Sequence, residues 1–471
     1  MPTTEETPLK HMIALYYCYP PAGLPKDNLE PHKLFHQETC TNLDLGGRIR
    51  VSEEGINGVL SGKEDALREY EGRLRKELLK IAVVGDDDEG SDEEDDPTTE
   101  WLDIKYCHLR NDIPMDQQLF DSLQVKITRE VVSLIEPTPQ NQGKNKGKRC
   151  RQRRKQKRKE KQMQDKLAEL SVAGDDESSK PTAELATGKE AVNIDIEDWR
   201  NNTPAQHLSP EEWNNKLLEL AQQEEEGSFQ KKEAVLLDTR NIYETRVGHF
   251  AVPNLPTMFP NTRKFSSLPL ALNTEEAAEA LAGKEIYMYC TGGVRCERAG
   301  TYLRALSDSN SGAWQGKEKP KAIFQLKGGI QKYLETYGEQ VEPKSDDDDN
   351  AEQCLYRGKN FVFDQRRTDP VIGKGITSKT AGESSERVGS VGQCIVCSTA
   401  HDDYDNGFSP CDEKEARCCR CRVLVLVCND CRPKVRSCGE PETDNVTDLL
   451  CGGTACIDEG NVSENVETIR F

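Results

Sequence analysis

Runs of like charge divide this chain before any apolar pattern is considered. Residues 86–96 hold nine acids and no base, 143–189 are basic and then rich in Ser, Asp and Glu, and 346–349 are four consecutive aspartates. Segments of this kind repel themselves and bury nothing, so they read as disordered insertions and linkers around folded parts. A chain of 471 residues has room for about three domains. With 31% charged against 35% hydrophobic residues it is too polar for order from end to end. The predicted layout is a first domain over 10–137 with an acidic insertion at 85–99, a disordered linker over 138–190, and a second domain with a leading helix over 191–340. A linker over 341–393, a cysteine-rich module over 394–438 and a disordered tail over 439–471 follow.

No stretch approaches the roughly 18 consecutive apolar residues that cross a bilayer, and residues 1–10 lack a basic and then apolar leader. The expectation is a soluble cytoplasmic chain with no membrane partner. Eleven of the 18 cysteines fall in the last 78 residues. In a reducing compartment these thiols point to metal binding or catalysis rather than disulfides. The formal charge of -20 argues against a nonspecific nucleic-acid binder, so any RNA contact must be local. Residues 144–161, with twelve Lys or Arg against one Glu, are the candidate. Their alternative readings are a nuclear address or a solvated linker.

Strand-like runs at 13–19, 48–52 and 102–109 and the glycine-punctuated INGVLSG alternate with helical spacing at 28–45 and 63–81. That order, β-α-β-β-α-β, is the ferredoxin-like α+β pattern. Strand-like runs at 234–240, 285–290 and 322–329 then alternate with helical segments at 275–281 and 295–306, after a helix opened by Ser209 and Pro210. This alternation implies an α/β domain with a mostly parallel sheet and functional groups at the carboxyl ends of its strands.

Chemistry concentrates at one such end. Cys290 closes EIYMYC and is followed by Thr291, Gly292, Gly293, Val294, Arg295, Cys296 and Glu297, then by the helical RAGTYLRAL. A cysteine before glycines and a helix start can receive several backbone N–H groups on its sulfur, with the helix dipole favouring negative charge. Arg295 adds a fixed positive charge. Cys290 therefore reads as a low-pKa nucleophile on a cradle, Thr291 to Val294, able to hold an anion. The plainer alternative is a buried cysteine in a tight βα turn. Cysteine phosphatases place five residues between Cys and Arg; the four here make a smaller loop, better fitted to a sulfur atom. Asp238 and Arg240, after a buried strand, either support the loop or substrate or form a strand-end ion pair. Cys296 is either a resolving thiol for Cys290 or faces away.

CTGGVRCE, with LLDTRNIYETRVGHF upstream and FQLKGGIQKYLETYG downstream, resembles a rhodanese domain. YYCYPP, GRIRVSEEGINGVLSG and QVKITREVV resemble the N-terminal half of the rhodanese-containing tRNA uridine hydroxylase family, in which an acylphosphatase-like domain precedes the rhodanese domain. The resemblance implies oxygen-dependent conversion of the wobble uridine of certain tRNAs to 5-hydroxyuridine. Its partner would be tRNA, its co-substrate molecular oxygen and its required cysteine Cys290. It also gives Glu54 and Asn57 a functional role, where the residues alone suggest only a hairpin. The charged insertions depart from the compact bacterial pattern, and the cysteine-rich tail occurs in some members only.

In that tail, Cys394 and Cys397, Cys418 and Cys421, and Cys428 and Cys431 give three CxxC pairs within 38 residues, with Cys411 and Cys419 besides. Two such knuckles bring four thiolates to one tetrahedral ion at about 2.3 Å. Little apolar sequence accompanies them except VLVLV (423–427), so folding should depend on metal. Zinc is expected, with iron-sulfur as the alternative. Related tails have the order CxxC, Cys, Cys, CxxC, matching Cys394, Cys397, Cys411, Cys421, Cys428 and Cys431. That is more than one zinc takes, so the ligand set stays open. NFVFDQRR (360–367) resembles a block leading into this tail and reads as an extended strand packing on the rhodanese domain.

Three functions fit: a tRNA-modifying enzyme, a sulfurtransferase carrying a persulfide on Cys290, and a non-catalytic zinc-bearing adaptor. The fused first domain favours RNA. An intact Cys290 and Arg295 speak against the adaptor.

Overall fold

The computed structural model describes residues 10–21, 23–82, 101–109, 114–134, 205–222, 233–338, 354–361, 368–370, 391–402, 404, 416–418, 423–436 and 447–448. The acidic insertion, the linker over 138–190 with its basic run, the aspartate quartet and most of the tail over 439–471 lie outside them. So do Cys411, Cys419 and Cys421.

The first domain is a helix-backed sheet. Its elements are β1 (His11–Cys18), α1 (Leu29–Asn42), β2 (Gly46–Ser52), β3 (Gly55–Lys63), α2 (Glu64–Ala82), β4 (Leu102–His108) and β5 (Leu123–Ile127). The sheet order β4-β1-β3-β2-β5 is the ferredoxin-like antiparallel arrangement, with β5 added parallel to β2 at the edge. On α2, Leu67, Tyr70, Leu74 and Leu78 recur at helical spacing and are buried against the sheet. Alternation sorts the two sheet faces. Met12, Ala14, Tyr16 and Cys18 of β1, with Leu102, Ile104 and Tyr106 of β4, pack with the helices. Tyr17 of β1 and Asp103 and Lys105 of β4 therefore stand on the opposite face, where Tyr17 pairs in register with Asp103.

The second domain has a parallel sheet in the order β6-β11-β10-β7-β9, made of β6 (Gln206–Leu208), β7 (Ala234–Asp238), β9 (Thr257–Met258), β10 (Glu285–Tyr289) and β11 (Ala322–Leu326). Helix α3 (Pro210–Gln222) opens with a reciprocal cap: Glu212 N donates to Ser209 Oγ at 3.2 Å and Ser209 N to Glu212 Oε2 at 2.8 Å. It is followed by the one-turn helix α4 (Ile242–Thr245), α5 (Glu275–Leu281), α6 (Val294–Asp308) and α7 (Gly329–Tyr337). Both sheet faces are covered, as near-continuous apolar strands require. Val235, Leu237, Ile286 and Met288 point into one core, and Leu236, Tyr287 and Tyr289 into the other. Val132 and Leu134, at the end of the first domain's chain, pack into the former.

Within 341–393, read from sequence as a linker, Tyr356–Phe361 forms β12, antiparallel to β8 (Gly248–Phe250). Asn360 and Phe361 of the NFVFDQRR block belong to this strand. The run Val423–Val427 is buried and extended. Val423, Val425 and Val427 pack with Cys394, Cys418, Cys431 and Ile242, whereas Leu424 and Leu426 pack with Val247, Phe361 and Tyr404.

Candidate active site and cysteine cluster

Cys290 follows β10 and is fully buried, and the chain turns into α6 through Gly293, whose φ of 93° is accessible at little cost only to glycine. Gly293 N donates to Cys290 Sγ at 3.1 Å. Burial pushes the thiol up. A hydrogen bond from Cys296, the Arg295 charge and the backbone N–H groups of Arg295 and Cys296 outweigh it, and the thiol is lowered to about 6. The helix start thus presents donors to a sulfur that is a thiolate at neutral pH. Cys296 is buried on the Cys290 side of α6, its Sγ 3.6 Å from Thr239 Oγ1, rather than facing away. Burial and then the neighbouring Cys290 hold it well above the usual thiol range, so it stays protonated and donates.

The loop is held from beneath by the first turn of α7, which the glycines ending FQLKGG let approach closely. Ile330 N donates to Cys290 O at 2.9 Å and Gln331 N to Thr291 O at 3.0 Å. A Cβ on Gly329 (φ 66°) would lie 2.6 Å from Cys290 O and 2.7 Å from Gly293 N, so no larger residue fits there. Gly292 faces open space, with no described atom within 4 Å of an added Cβ. That side of the loop is free to receive a substrate atom.

Arg295 is anchored by Glu244 in α4. Its Nη1 and Nη2 each donate to a Glu244 carboxylate oxygen at 2.7 Å, and Nη2 also donates to Thr291 Oγ1 at 3.2 Å. The same carboxylate accepts from Thr291 Oγ1 at 3.2 Å, Asn241 N at 3.1 Å and Asn241 Nδ2 at 3.0 Å. Burial pushes Glu244 up, but Arg295 more than reverses it and holds the carboxyl below its ordinary range. Asp238 and Arg240 chiefly bond each other, although the Arg240 charge also helps keep Glu244 ionised. They form a fully buried bidentate pair, and Arg240 also donates to Gly248 O at 2.6 Å and to Tyr356 Oη at 3.3 Å. Of the two roles the sequence allows them, these contacts are those of the strand-end ion pair, and the hydrogen bonds to the loop come from Glu244, whose position three residues after Asn241 in NIYET is a helix-start signal.

The outer sheet face of the first domain meets this loop. A Cβ on Gly293 would lie 2.8 Å from Tyr17 Oη, Tyr19 Oη donates to Val294 O at 3.5 Å, and a Cβ on Gly328 would lie 3.2 Å from Lys105 Cε. Lys105, almost fully buried, pairs with Asp103 at 2.6 Å and lies 5.0 Å from the Tyr17 ring centre. Arg298 of α6 ties the domains together. It is ion-paired to Glu54 in the β2–β3 turn and to Glu130 at 2.6 Å, all three nearly inaccessible. Glu54 also accepts from Val131 N at 3.2 Å. Asn57 pairs with Tyr17 and Arg50 within the sheet.

In the tail, Cys394, Cys397, Cys428 and Cys431 place their sulfurs within 4.8 Å of one another. Bonds of about 2.3 Å to a tetrahedral ion put sulfurs roughly 3.8 Å apart, and the Cys397 and Cys428 sulfurs are 3.6 Å apart. Cys428 N donates to Cys394 Sγ at 3.3 Å, and Ser398 takes the left-handed conformation that turns the first knuckle. The donor set fits a four-coordinate thiophilic ion. Of the other expected ligands, Cys418 is buried in the apolar cluster that also holds Cys394 and Cys431, but it is not one of the four grouped sulfurs. Cys411 and Cys421 lie outside the described residues.

A buried cysteine at the end of a parallel strand, held over a helix start with an arginine beside it, is an arrangement that rhodanese-type domains share with cysteine phosphatases. A rhodanese-like domain model matches residues 216–336 and a UPF0176 acylphosphatase-like domain model matches 11–131, so this chain is a rhodanese-domain protein preceded by a UPF0176 acylphosphatase-like domain. It is 31% identical over 423 residues to "Rhodanese-like domain-containing protein 6" of Arabidopsis thaliana, covering 90% of this chain and 51% of that protein. It is 30% identical over 249 residues to a "tRNA uridine(34) hydroxylase" of Buchnera aphidicola, covering 52% of this chain and 58% of that protein. To a protein of the same name from Aster yellows witches'-broom phytoplasma it is 25% identical, with 77% and 76% covered. The chain thus spans about half the length of the Arabidopsis relative. Among the described residues no helix is long and apolar enough to cross a membrane.

Proposed function

We propose that this chain is a cysteine enzyme that hydroxylates the wobble uridine of tRNA in the cytoplasm, one atom of molecular oxygen entering the base and the other leaving as water with two electrons and two protons from an external two-electron donor of the thiol class. The observation that carries the reading is the seating of the first domain on the cysteine loop, through Tyr17 against Gly293 and Tyr19 against Val294. A rhodanese domain acting on small sulfur donors has no need of that wall, whereas relatives that match 77% and 52% of this chain carry the name tRNA uridine(34) hydroxylase.

In this reading Cys290 is the nucleophile. Arg295 and the N–H groups of the loop from Thr291 to Val294 stabilise negative charge on it or on the bound base. Gly292 leaves the approach open, and Cys296 keeps a proton within reach. The four-cysteine cluster holds zinc as a structural ion, since all-thiolate tetrahedral sites with no open position suit that role.

The competing reading is a sulfurtransferase, favoured by the small loop, whose donors would cradle the outer sulfur of a Cys290 persulfide. Nucleoside mass spectrometry of tRNA from cells lacking the protein separates the two. Loss of 5-hydroxyuridine and its derivatives, restored by wild type but not by Cys290→Ala, is the expected result. Unchanged tRNA, with thiosulfate:cyanide sulfur transfer by the pure protein, would replace the hydroxylase reading.

A further inference from the structure

We propose that the four-cysteine module is a positioning element for the Cys290 loop, acting through the one-turn helix α4. The inference rests on Cys290 being the reactive thiol but not on which reaction it performs.

A helix of four residues cannot sustain itself, because nucleation costs more than its single turn returns. Its shape must be imposed by what packs on it. Ile242 is buried in one cluster with Cys394 and Cys431, two of the four cluster cysteines, and with Val423, Val425 and Val427. Tyr243 packs against that cluster and also against the one holding Leu424, Leu426 and Tyr404. Its ring meets Phe361 at 5.2 Å, and Tyr404 Oη donates to Tyr243 O at 2.7 Å. Ile395 N, within the first knuckle, donates to Leu426 O at 2.9 Å, which ties the knuckle to the strand lying on α4. The rhodanese domain contributes ties as well, from Ile242 N to Thr262 O at 2.8 Å and from His249 Nδ1 to Thr245 O at 3.0 Å.

The other end of α4 is Glu244, whose carboxylate receives both Arg295 guanidinium nitrogens and Thr291 Oγ1. The path therefore runs from the knuckles to Ile242 and Tyr243, along one helical turn to Glu244, and across to Arg295 and Thr291 in the loop. Each link is a packed contact or a hydrogen bond. The module needs metal to fold, since its apolar content is one short strand and two small clusters. Metal loading thereby sets how firmly Arg295 is held beside Cys290. The module touches no reacting atom, so Glu244 is a positioning residue.

The charged and titratable groups facing Cys290 are Arg295 and Cys296 on α6, with Tyr17 and Tyr19 from the first domain; Glu244 acts through Arg295. Of these, the pair Arg295 and Glu244 is the one the module reaches.

The test is the pH dependence of iodoacetamide alkylation at Cys290 in the full chain, followed at the Cys290 peptide by mass spectrometry. It compares zinc-loaded protein with protein stripped of metal by a chelator under reductant, with circular dichroism recorded alongside. The zinc-loaded midpoint is expected near 6, and stripping should raise it by roughly one unit or more toward that of a free thiol. Tyr404→Phe breaks the module's hydrogen bond to α4 without touching a cluster cysteine. It should raise the midpoint part of the way with zinc content unchanged. A low midpoint unaltered in stripped, still folded protein would overturn the proposal. If stripping unfolds the chain, an unaltered midpoint in zinc-loaded Tyr404→Phe would overturn it. An ordinary free-thiol midpoint in zinc-loaded wild type would instead remove the reading of Cys290 on which the proposal rests.

Discussion

The Cys290 loop and the four-cysteine cluster treat the same atom in opposite ways. Each aims a backbone N–H at a sulfur, from Gly293 to Cys290 at 3.1 Å and from Cys428 to Cys394 at 3.3 Å. At the loop there is one thiolate, favoured by the charge of Arg295, which Glu244 holds in place. The sulfur gains enough stabilisation to ionise. In the cluster, four sulfurs lie within 4.8 Å, and as thiolates they repel one another until a cation sits between them. A fixed side-chain charge makes a cysteine reactive, whereas a shared metal makes it inert.

The strongest way to break this contrast is to exchange the losses. Cys290→Ala should lower tRNA hydroxylation on the order of a thousandfold or more, as removal of a nucleophile does, while bound metal measured by elemental analysis stays at the wild-type level. Cys428→Ala should reverse the pattern. Metal falls to background and thermal stability drops, with activity reduced only as far as the loop loosens. If both variants lost metal, or both lost activity equally, the two sites would not be distinct.

Glu244→Gln sharpens the comparison, because it leaves both sets of cysteines in place and removes the charge that holds Arg295. A charge-assisted bidentate pair becomes a weaker one, and kcat/KM should fall roughly tenfold. The folded-state pKa of Glu244 is held below the ordinary carboxylate value. Its stabilisation is therefore present above the unfolded value of about 4.3 and lost as pH falls through the lower folded value. Melting curves should show wild type more stable than Glu244→Gln near neutral pH, with the gap closing on acidification. A gap independent of pH would contradict the ion pair. The smallest effect is expected from Cys296→Ser, whose hydroxyl still donates to Cys290. The alkylation midpoint should rise by less than about one unit and activity should stay within a few fold.

Much of the architecture was legible because periodicity reports burial. The strand and helix order of both domains follows from it, and so does the turn that exposes Cys290 to a helix start. The partners of the loop were less legible because they come from distant chain. Arg240 and Glu244 are both polar residues after a buried strand, and only the folded turn decides that the first pairs with Asp238 and the second with Arg295. Tyr17 reads as a strand residue like Tyr16; which of the two faces the loop depends on the side of the sheet taken by α2. In the tail, CxxC spacing pointed to a cluster of cysteines able to hold a metal but not to which of them form it. The pairing of Cys394 and Cys397 with Cys428 and Cys431, leaving Cys418 in the core, is set by how the chain folds back between them.

The central claim is that Cys290 acts on tRNA with molecular oxygen. Its most direct test is to incubate the purified, metal-loaded chain with unmodified tRNA and a thiol reductant as two-electron donor under isotopically labelled dioxygen, and to digest the tRNA for nucleoside mass spectrometry. The account predicts 5-hydroxyuridine carrying the label at the wobble position with wild type and none with Cys290→Ala. Unlabelled or absent product with active wild-type protein, or labelled product from Cys290→Ala at the wild-type rate, would contradict it.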